Sequence, residues 1–283
     1  MVLIDFWTYS CVNCLRSAPY LNKWHETYEA DGLVILGLHA PEFAFEKNKA
    51  NVEKAVKDTY NIKYPVGLDN DLATWDAYNN QYWPAKYLID KEGNLRYTHF
   101  GEGSYDKTEQ SIRALLEENG SKIDGKTVSN QVNSTGQVSS NQTPETYLGF
   151  SRNQNFANNA QLNAQQGFNK TVTFTKPATL EPNFWYLQGN WTVKNELIVS
   201  ESYGNILELN FSAKEVYLVM GADSPTEIQV QTNAPGADVN QGVVTVSDYK
   251  LYKLVKLDSF QTNQTIKLIV PKGVTMNAFT FGS

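Results

Sequence analysis

The chain has 283 residues, more than a typical domain of about 100 to 200 residues, which predicts two domains. Its formal net charge is −6, and it has no basic cluster, so nucleic acid is excluded as an expected partner. No apolar run is long enough for a transmembrane helix. The first residues lack the basic start of a signal peptide, and we expect no targeting segment within this chain.

The first 118 residues alternate between strand-like apolar runs and amphipathic helical segments. The pattern predicts strands at 1–7, 33–38, 66–68, 85–90 and 95–100, and helices at 11–28, 46–60, 72–78 and 105–118. The order is a βαβα unit followed by a ββα unit. This predicts an α/β domain over residues 1–118.

The amino-acid composition changes at residue 119 and again at residue 144. Residues 119–143 are mostly Ser, Asn, Gln, Thr and Gly with isolated apolar residues, and this composition predicts a flexible linker. From 144 to 283 the chain consists of short β-rich runs separated by Gly, Pro or Asn. Such spacing favours an all-β sandwich.

The candidate chemistry lies at the only two cysteines, Cys11 and Cys14. Two cysteines exclude a scaffold of several disulfides. A structural zinc site needs four ligands and no second Cys pair exists, so we predict no metal and no cofactor. A Cys at a helix start is favoured as a thiolate by the helix dipole. Cys11 is therefore predicted to attack, and Cys14 to resolve the mixed disulfide.

The segment VLIDFWTYSCVNCLRSAP resembles thioredoxin-like proteins of the TlpA type. The segments HAPEFAFE, LDNDLATW, YWPAKYLID and FGEGSY resemble the soluble C-terminal region of DipZ-type thiol-disulfide oxidoreductases. The second half resembles the carbohydrate-binding-module-like, jelly-roll-like β domain found after the thioredoxin domain in such proteins. Two features depart from the common pattern: Ser10 stands in place of Trp, and Val12-Asn13 in place of Gly-Pro.

This resemblance implies a function and a location. The chain is expected to carry out thiol-disulfide exchange with protein disulfides outside the cytoplasm, at the cell envelope. It is expected to act as a reductant supplied by a membrane thiol electron donor of the CcdA/DsbD type. Cell-wall glycan is a further expected partner of the β domain.

The resemblance also implies roles for individual residues near the dithiol. Pro84 matches a cis proline that lies against the dithiol, the alternative being a plain turn proline. Asp5 matches a buried acid that moves a proton, the alternative being a structural carboxylate. Glu42 matches a glutamate beside the active site, or is a solvated loop acid. The predicted substrate contacts are the following: Trp83, Ser10, Val12 and Asn13.

Aromatic residues near the start of the β domain offer a stacking surface for sugar. Trp185, Tyr186 and Trp191 are the candidate glycan contacts, with Phe184 beside them. Because side chains alternate along a strand, packing in the core is the competing interpretation.

Two other functions stay open at this stage. Thr8-x-x-Cys11 is similar to the Thr-x-x-Cys of peroxiredoxins, which would make the chain a thiol peroxidase, but the expected preceding proline is absent. The chain could also be an envelope glycan-binding module in which the thioredoxin unit is a spacer. An intact dithiol, Asp5 and Pro84 argue against a degenerate spacer.

Overall fold

The computed structural model describes residues 1–123, 125–132, 140–238 and 242–282. The chain divides into two compact units, Met1–Thr135 and Gly136–Ser283. Within the described residues, no helix is both long and apolar enough to cross a bilayer.

The first unit is an α/β fold around a five-stranded sheet. Its strands are β1 (Val2–Trp7), β2 (Val34–His39), β3 (Val66–Leu68), β4 (Ala85–Ile89) and β5 (Leu95–Phe100). Its helices are α1 (Val12–Tyr28), α2 (Lys49–Lys54), α3 (Ala73–Ala77) and α4 (Tyr105–Glu118), with single turns at Glu29–Asp31, Ala44–Lys47 and Ser129–Gln131. The predicted element order is confirmed.

Strand β1 is the middle strand of the sheet. The strand order is β3-β2-β1-β4-β5, with β1 parallel to β2 and antiparallel to β4. Side chains of β1 alternate between two apolar clusters: Leu3 packs with α1 on one face, and Phe6 packs on the other face. Helix α1 begins five residues after β1 ends, so its N-terminus lies close to the carboxyl end of this strand. In α/β folds, binding sites lie at the carboxyl ends of the strands.

The crossover segment is less regular than the continuous helix predicted for 46–60. A turn at Ala44–Lys47 ends before α2, which is capped by the Asn48 side chain accepting from the Ala50 N–H at 2.9 Å. The helix then widens into a π-helical turn at Ala55–Thr59. Because Asn48 starts a new helix, the segment breaks where the apolar pattern alone does not show it.

The first part of the predicted linker packs into the first unit instead. Ile123 and Val128 are buried among side chains of α1 and α4, and the Glu109 carboxylate accepts from the backbone N–H groups of Val128 and Ser129 at 2.7 and 2.8 Å. Two isolated apolar residues cannot build a core but can complete one made by other elements. Residues 133–139 of the predicted linker lie outside the described residues.

The regular secondary structure of the second unit is mainly β-sheet, which confirms the prediction of a β domain. Its strands are β6 (Thr146–Tyr147), β7 (Thr171–Phe174), β8 (Trp185–Val193), β9 (Ile198–Ser200), β10 (Asn205–Gly221), β11 (Thr226–Thr232), β12 (Val243–Val246), β13 (Lys250–Val270) and β14 (Thr275–Gly282), with one helix, α5 (Asn159–Ala164). The strand order is β12-β11-β13-β10-β14-β9-β8-β7, with β6 on β14.

Strand β10 joins two of the runs that the sequence shows as separate. It pairs with β13 along most of its length, with register shifts between Phe211 and Tyr217. Its first half pairs with β8 and its second half with β14. Because β9 links β14 to β8, four strands form a closed circuit around one apolar core.

The three candidate glycan contacts are buried. Trp185 and Trp191 belong to this core, and the hydroxyl of Tyr186 donates to the Glu208 carboxylate. Trp185 and Trp191 are 0% exposed and Tyr186 is 1% exposed. The prediction that they offer a stacking surface is therefore wrong. The indole N–H groups of both tryptophans donate to backbone carbonyls of Gln154 and Gln188, which satisfies their polar atoms inside the unit.

Candidate active site

Cys11 and Cys14 form a disulfide at the start of α1, with their Cα atoms 5.2 Å apart. Cys11 is the N-cap of the helix, and its Sγ accepts from the backbone N–H of Cys14 at 3.1 Å. The N-terminal N–H groups and the helix dipole favour negative charge at this position. The arrangement therefore stabilises a thiolate on Cys11 once the disulfide is reduced.

The two cysteines differ in exposure. Cys11 is partly exposed, whereas Cys14 is 3% exposed and packs with Trp7 and Ala18. A disulfide partner from another molecule can reach the sulfur of Cys11 more readily than that of Cys14. This asymmetry fits the order of attack predicted from the sequence.

The peptide bond between Trp83 and Pro84 is cis. Trp83 packs against the cluster that contains both cysteines. Its indole N–H donates to the carbonyl of Ala40 at 2.9 Å, and its ring lies 4.2 Å from that of Trp75. These contacts fix the residue before the cis proline next to the dithiol.

Asp5 lies buried on the α1-facing side of β1, between Leu3 and Trp7. Its carboxylate is 3.6 Å from the ammonium of Lys86, which is fully buried on β4. Burial raises the pKa of Asp5 to about 6, although the attraction of Lys86 opposes this. Burial likewise lowers the pKa of Lys86, and Asp5 opposes this. A carboxyl that titrates near pH 6 can accept a proton at neutral pH.

The glutamate that is fully buried beside the dithiol loop is Glu46, four residues beyond the predicted Glu42. Glu46 accepts hydrogen bonds from the hydroxyls of Thr8 and Ser10, both at 2.6 Å. Glu42 is partly exposed, and its backbone N–H donates to Glu46 at 2.6 Å. A role for the Glu42 side chain stays a prediction.

Tyr60 also contacts the dithiol loop, the segment between β1 and α1. Its hydroxyl lies 3.2 to 3.3 Å from the carbonyl oxygens of Thr8, Tyr9 and Cys11. Burial raises the pKa of Tyr60 well above its usual value, so the hydroxyl stays neutral and able to donate. The loop between β1 and α1 is thus held by a donor on one side and an acceptor, Glu46, on the other.

Two of the predicted substrate contacts do not face solvent. Ser10 and Val12 are each 2% exposed, since Ser10 is turned toward Glu46 and Val12 packs inside the unit. The prediction that their side chains touch substrate is wrong. Asn13 and Trp83 are partly exposed and stay candidates.

Sequence reasoning missed three residues of this site: Lys86, Glu46 and Tyr60. Lys86 had a signal, because it is the one charged residue in the strand AKYLI, which pairs with the strand of Asp5. Glu46 and Tyr60 had none, because their contacts depend on how the crossover segment folds back. Within the described residues, no group of three His, Cys, Asp or Glu side chains could hold a metal ion.

Comparison with known proteins adds family matches for both units. Residues 1–116 match the Redoxin family, and residues 143–282 match the family described as thioredoxin like C-terminal domain. The whole chain is 34% identical to protein DipZ of Mycobacterium tuberculosis, of which it covers 39%. It is 30% identical over 41% of its length to the thiol-disulfide oxidoreductase YkuV of Bacillus subtilis, covering 77% of that protein.

The chain belongs to the thioredoxin-like thiol-disulfide oxidoreductases. The crystal structure of the exposed lipoprotein thioredoxin of Streptococcus pneumoniae is 29% identical, with a TM-score of 0.35, and the match covers 40% of this chain and 84% of that one. The CxxC motif of this family is present in the chain as the Cys11–Cys14 pair. Both units of the chain match DipZ, but together they span less than half of its length.

Proposed function

We propose that this oxidoreductase reduces disulfide bonds of protein substrates outside the cytoplasm, with electrons supplied by a membrane thiol donor. The observation that carries the proposal is the asymmetry of the dithiol: Cys11 is partly exposed at a helix N-terminus and Cys14 is buried behind it. The location and the donor are what the resemblance to DipZ-type oxidoreductases implies.

The reaction begins with the reduced dithiol. The Cys11 thiolate attacks one sulfur of the substrate disulfide, and the other substrate sulfur leaves as a thiolate. Cys14 then loses its proton and attacks Cys11, which releases the second substrate thiol. The products are a substrate dithiol and the Cys11–Cys14 disulfide, and two electrons have moved to the substrate.

Asp5 is the proposed acceptor of the Cys14 proton. It shares the α1-facing side of β1 with Trp7, which packs against Cys14. With a pKa of about 6, it is mostly ionised at pH 7 and can take a proton through one water or directly. The neighbouring Lys86 ammonium favours the ionised form of Asp5.

The thiol peroxidase alternative loses its main support in the structure. Thr8 is fully buried, and its hydroxyl donates to Glu46. It therefore does not face the position where a peroxide would meet the Cys11 sulfur.

The test is reduction of insulin disulfides by the full chain and two matched variants. Cys11→Ser is expected to abolish turnover without forming an adduct, because the attacking sulfur is gone. Cys14→Ser is expected to accumulate a mixed disulfide, visible by mass spectrometry without reductant, because nothing resolves it. If Cys11→Ser is as active as the unmodified chain, the proposal fails.

A further inference from the structure

The buried carboxylate of Glu46 has an unusual set of partners. Oε1 accepts from the Thr8 hydroxyl and from both the hydroxyl and the N–H of Ser10, at 2.6, 2.6 and 3.1 Å. Oε2 accepts from the N–H groups of Glu42 and Phe43, at 2.6 and 2.8 Å. All five partners are hydroxyl or backbone N–H groups, so none carries a positive charge to balance the carboxylate.

A capping role explains only one of the two oxygens. Oε2 caps the turn at Ala44–Lys47, since Phe43 precedes that turn. Oε1 faces away from the turn, toward the loop that ends at Cys11. A residue that only capped its own turn would not need three donors from a loop more than 30 positions earlier in the chain.

The surroundings of Glu46 decide how readily it ionises. Burial raises the pKa of Glu46 to about 7, the neighbouring Glu42 adds to this, and the Ser10 and Thr8 hydroxyls oppose it. Tyr60, which follows the π-helical turn and contacts the same loop, stays neutral because its pKa is raised. His39, 3.4 Å from the Thr8 hydroxyl, stays neutral because burial lowers its pKa to about 4. Tyr60 and His39 therefore do not change charge near neutral pH. The other buried group near the dithiol that does so is Asp5, whose pKa is about 6 and which is present in both chains compared below.

A negative charge beside the loop acts on the nearest titrating sulfur. Ser10, which donates twice to Glu46, is directly followed by Cys11. A like charge disfavours the thiolate, and a less stable thiolate makes the reduced dithiol less stable relative to the disulfide. The ionised carboxylate therefore favours electron donation, against the helix dipole, which stabilises the thiolate.

We propose that Glu46 is a positioning residue that holds the dithiol loop through Thr8 and Ser10, and that its negative charge disfavours the Cys11 thiolate and keeps the dithiol reducing. This inference rests on the proposed function, because it concerns the same dithiol. It adds a proton-dependent control: as the pH rises through neutrality, Glu46 loses its proton and the dithiol becomes a stronger reductant than the two cysteines alone would be.

The test compares the full chain with Glu46→Gln, using Glu53→Gln as the matched control. Glu53 lies on α2 with a side chain 66% exposed, so its charge is screened by solvent. Two quantities are measured between pH 5.5 and 8: the rate at which iodoacetamide alkylates the reduced chain, and the equilibrium constant with glutathione. Near-ultraviolet circular dichroism checks that each variant is folded.

Glu46→Gln is expected to lower the pKa of the Cys11 thiol. At pH 8 it should shift the glutathione equilibrium about threefold to tenfold toward the dithiol, the range for one charge acting across the loop. At pH 5.5, where Glu46 of the unmodified chain is protonated and position 46 is neutral in both chains, the shift should be less than about twofold. Glu53→Gln should match the unmodified chain at every pH. An equal shift at both pH values would mean that Glu46 is only structural and would overturn the inference.

Ser10→Ala keeps the inference testable if Glu46→Gln fails to fold. It removes a hydroxyl that lowers the pKa of Glu46, so the pH-dependent step in alkylation should move to higher pH. A step that stays in place would contradict the inference. Failure of the proposed function looks different: the chain would then not equilibrate with glutathione through Cys11 at all.

Discussion

Asp5 and Lys86 form a buried pair, and two properties of it can be tested separately: proton transfer from Cys14 and the pH dependence of stability. If Asp5 accepts the Cys14 proton, Asp5→Asn should slow the resolving step at pH 7 more than the first attack by Cys11. Stopped-flow mixing with a disulfide substrate separates the two steps. Asp58→Asn, at an exposed carboxylate, serves as the control. An unchanged pH–rate profile in Asp5→Asn would leave Asp5 with a structural role only.

The same pair predicts a pH-dependent stability. Because the pKa of Asp5 is raised from 3.8 to about 6 in the folded chain, its stabilising contribution is complete below pH 3.8 and is lost as the pH rises through 6. The free energy of unfolding of Asp5→Asn should therefore rise relative to the unmodified chain by about 2 kcal/mol between pH 4 and pH 7. Hydrogen exchange of β1 and β4 in increasing urea measures this difference. A difference that is constant with pH would contradict the assignment.

The residues that sequence analysis found have two sources. The roles of Cys11 and Cys14 follow from their separation by two residues, whereas those of Pro84 and Asp5 were implied by the resemblance to TlpA-type proteins. Glu46 could not be distinguished from Glu42, because which of two glutamates turns inward depends on where the crossover segment breaks. Ser10 was misassigned for the same reason, since its buried partner comes from another element.

At the scale of elements, the loop between β1 and α1 depends on Tyr60 for its shape. Tyr60→Phe removes the hydroxyl that lies within hydrogen-bond distance of the carbonyl oxygens of Thr8, Tyr9 and Cys11. Losing a buried hydrogen bond of this kind costs about 0.5 to 1.5 kcal/mol. We expect the first unit to lose about that much stability and amide exchange in the loop to accelerate.

Tyr64→Phe is the matched control for this substitution. Tyr64 lies four residues further along and is equally buried, at 5% exposed, but its hydroxyl makes no hydrogen bond to the dithiol loop in the described structure. It should leave exchange in the loop unchanged. If both variants behave alike, the contacts of Tyr60 do not hold the loop.

Element boundaries were predictable where a strand or helix is bounded by its own sequence. The strands and helices of the first unit follow from apolar periodicity and turn residues. The second unit was harder, because β10 and β13 run through register shifts that divide each strand into two apolar runs. For the aromatic residues of β8 the sequence left a sugar-stacking surface and core packing open, and Trp185 and Trp191 pack in the core.

At the scale of the whole molecule, the boundary of the first unit can be tested by truncation. Residues 1–118 should be less stable than residues 1–135, because the shorter chain lacks Ile123 and Val128 in its core. Burying a side chain of this kind contributes about 1.5 to 3 kcal/mol. The shorter chain also leaves the carboxylate of Glu109 without its donors at Val128 and Ser129.

The stabilities of the two truncated chains are compared by urea unfolding, with the reduction of insulin as a second readout. We expect a difference of several kcal/mol in favour of residues 1–135. Substituting Ile123 by Ala in the longer chain should reproduce part of the loss. Equal stability of both truncated chains would restore the original boundary at residue 118.

The central claim is that Cys11 and Cys14 are a redox-active pair that donates electrons. The most direct measurement equilibrates the full chain with glutathione buffers at pH 7, quenches with acid and counts free thiols by mass spectrometry. We expect one two-electron transition with a potential closer to the roughly −270 mV of thioredoxin than to the roughly −120 mV of DsbA. A potential near the DsbA value, or the absence of any transition in the folded chain, would contradict the account.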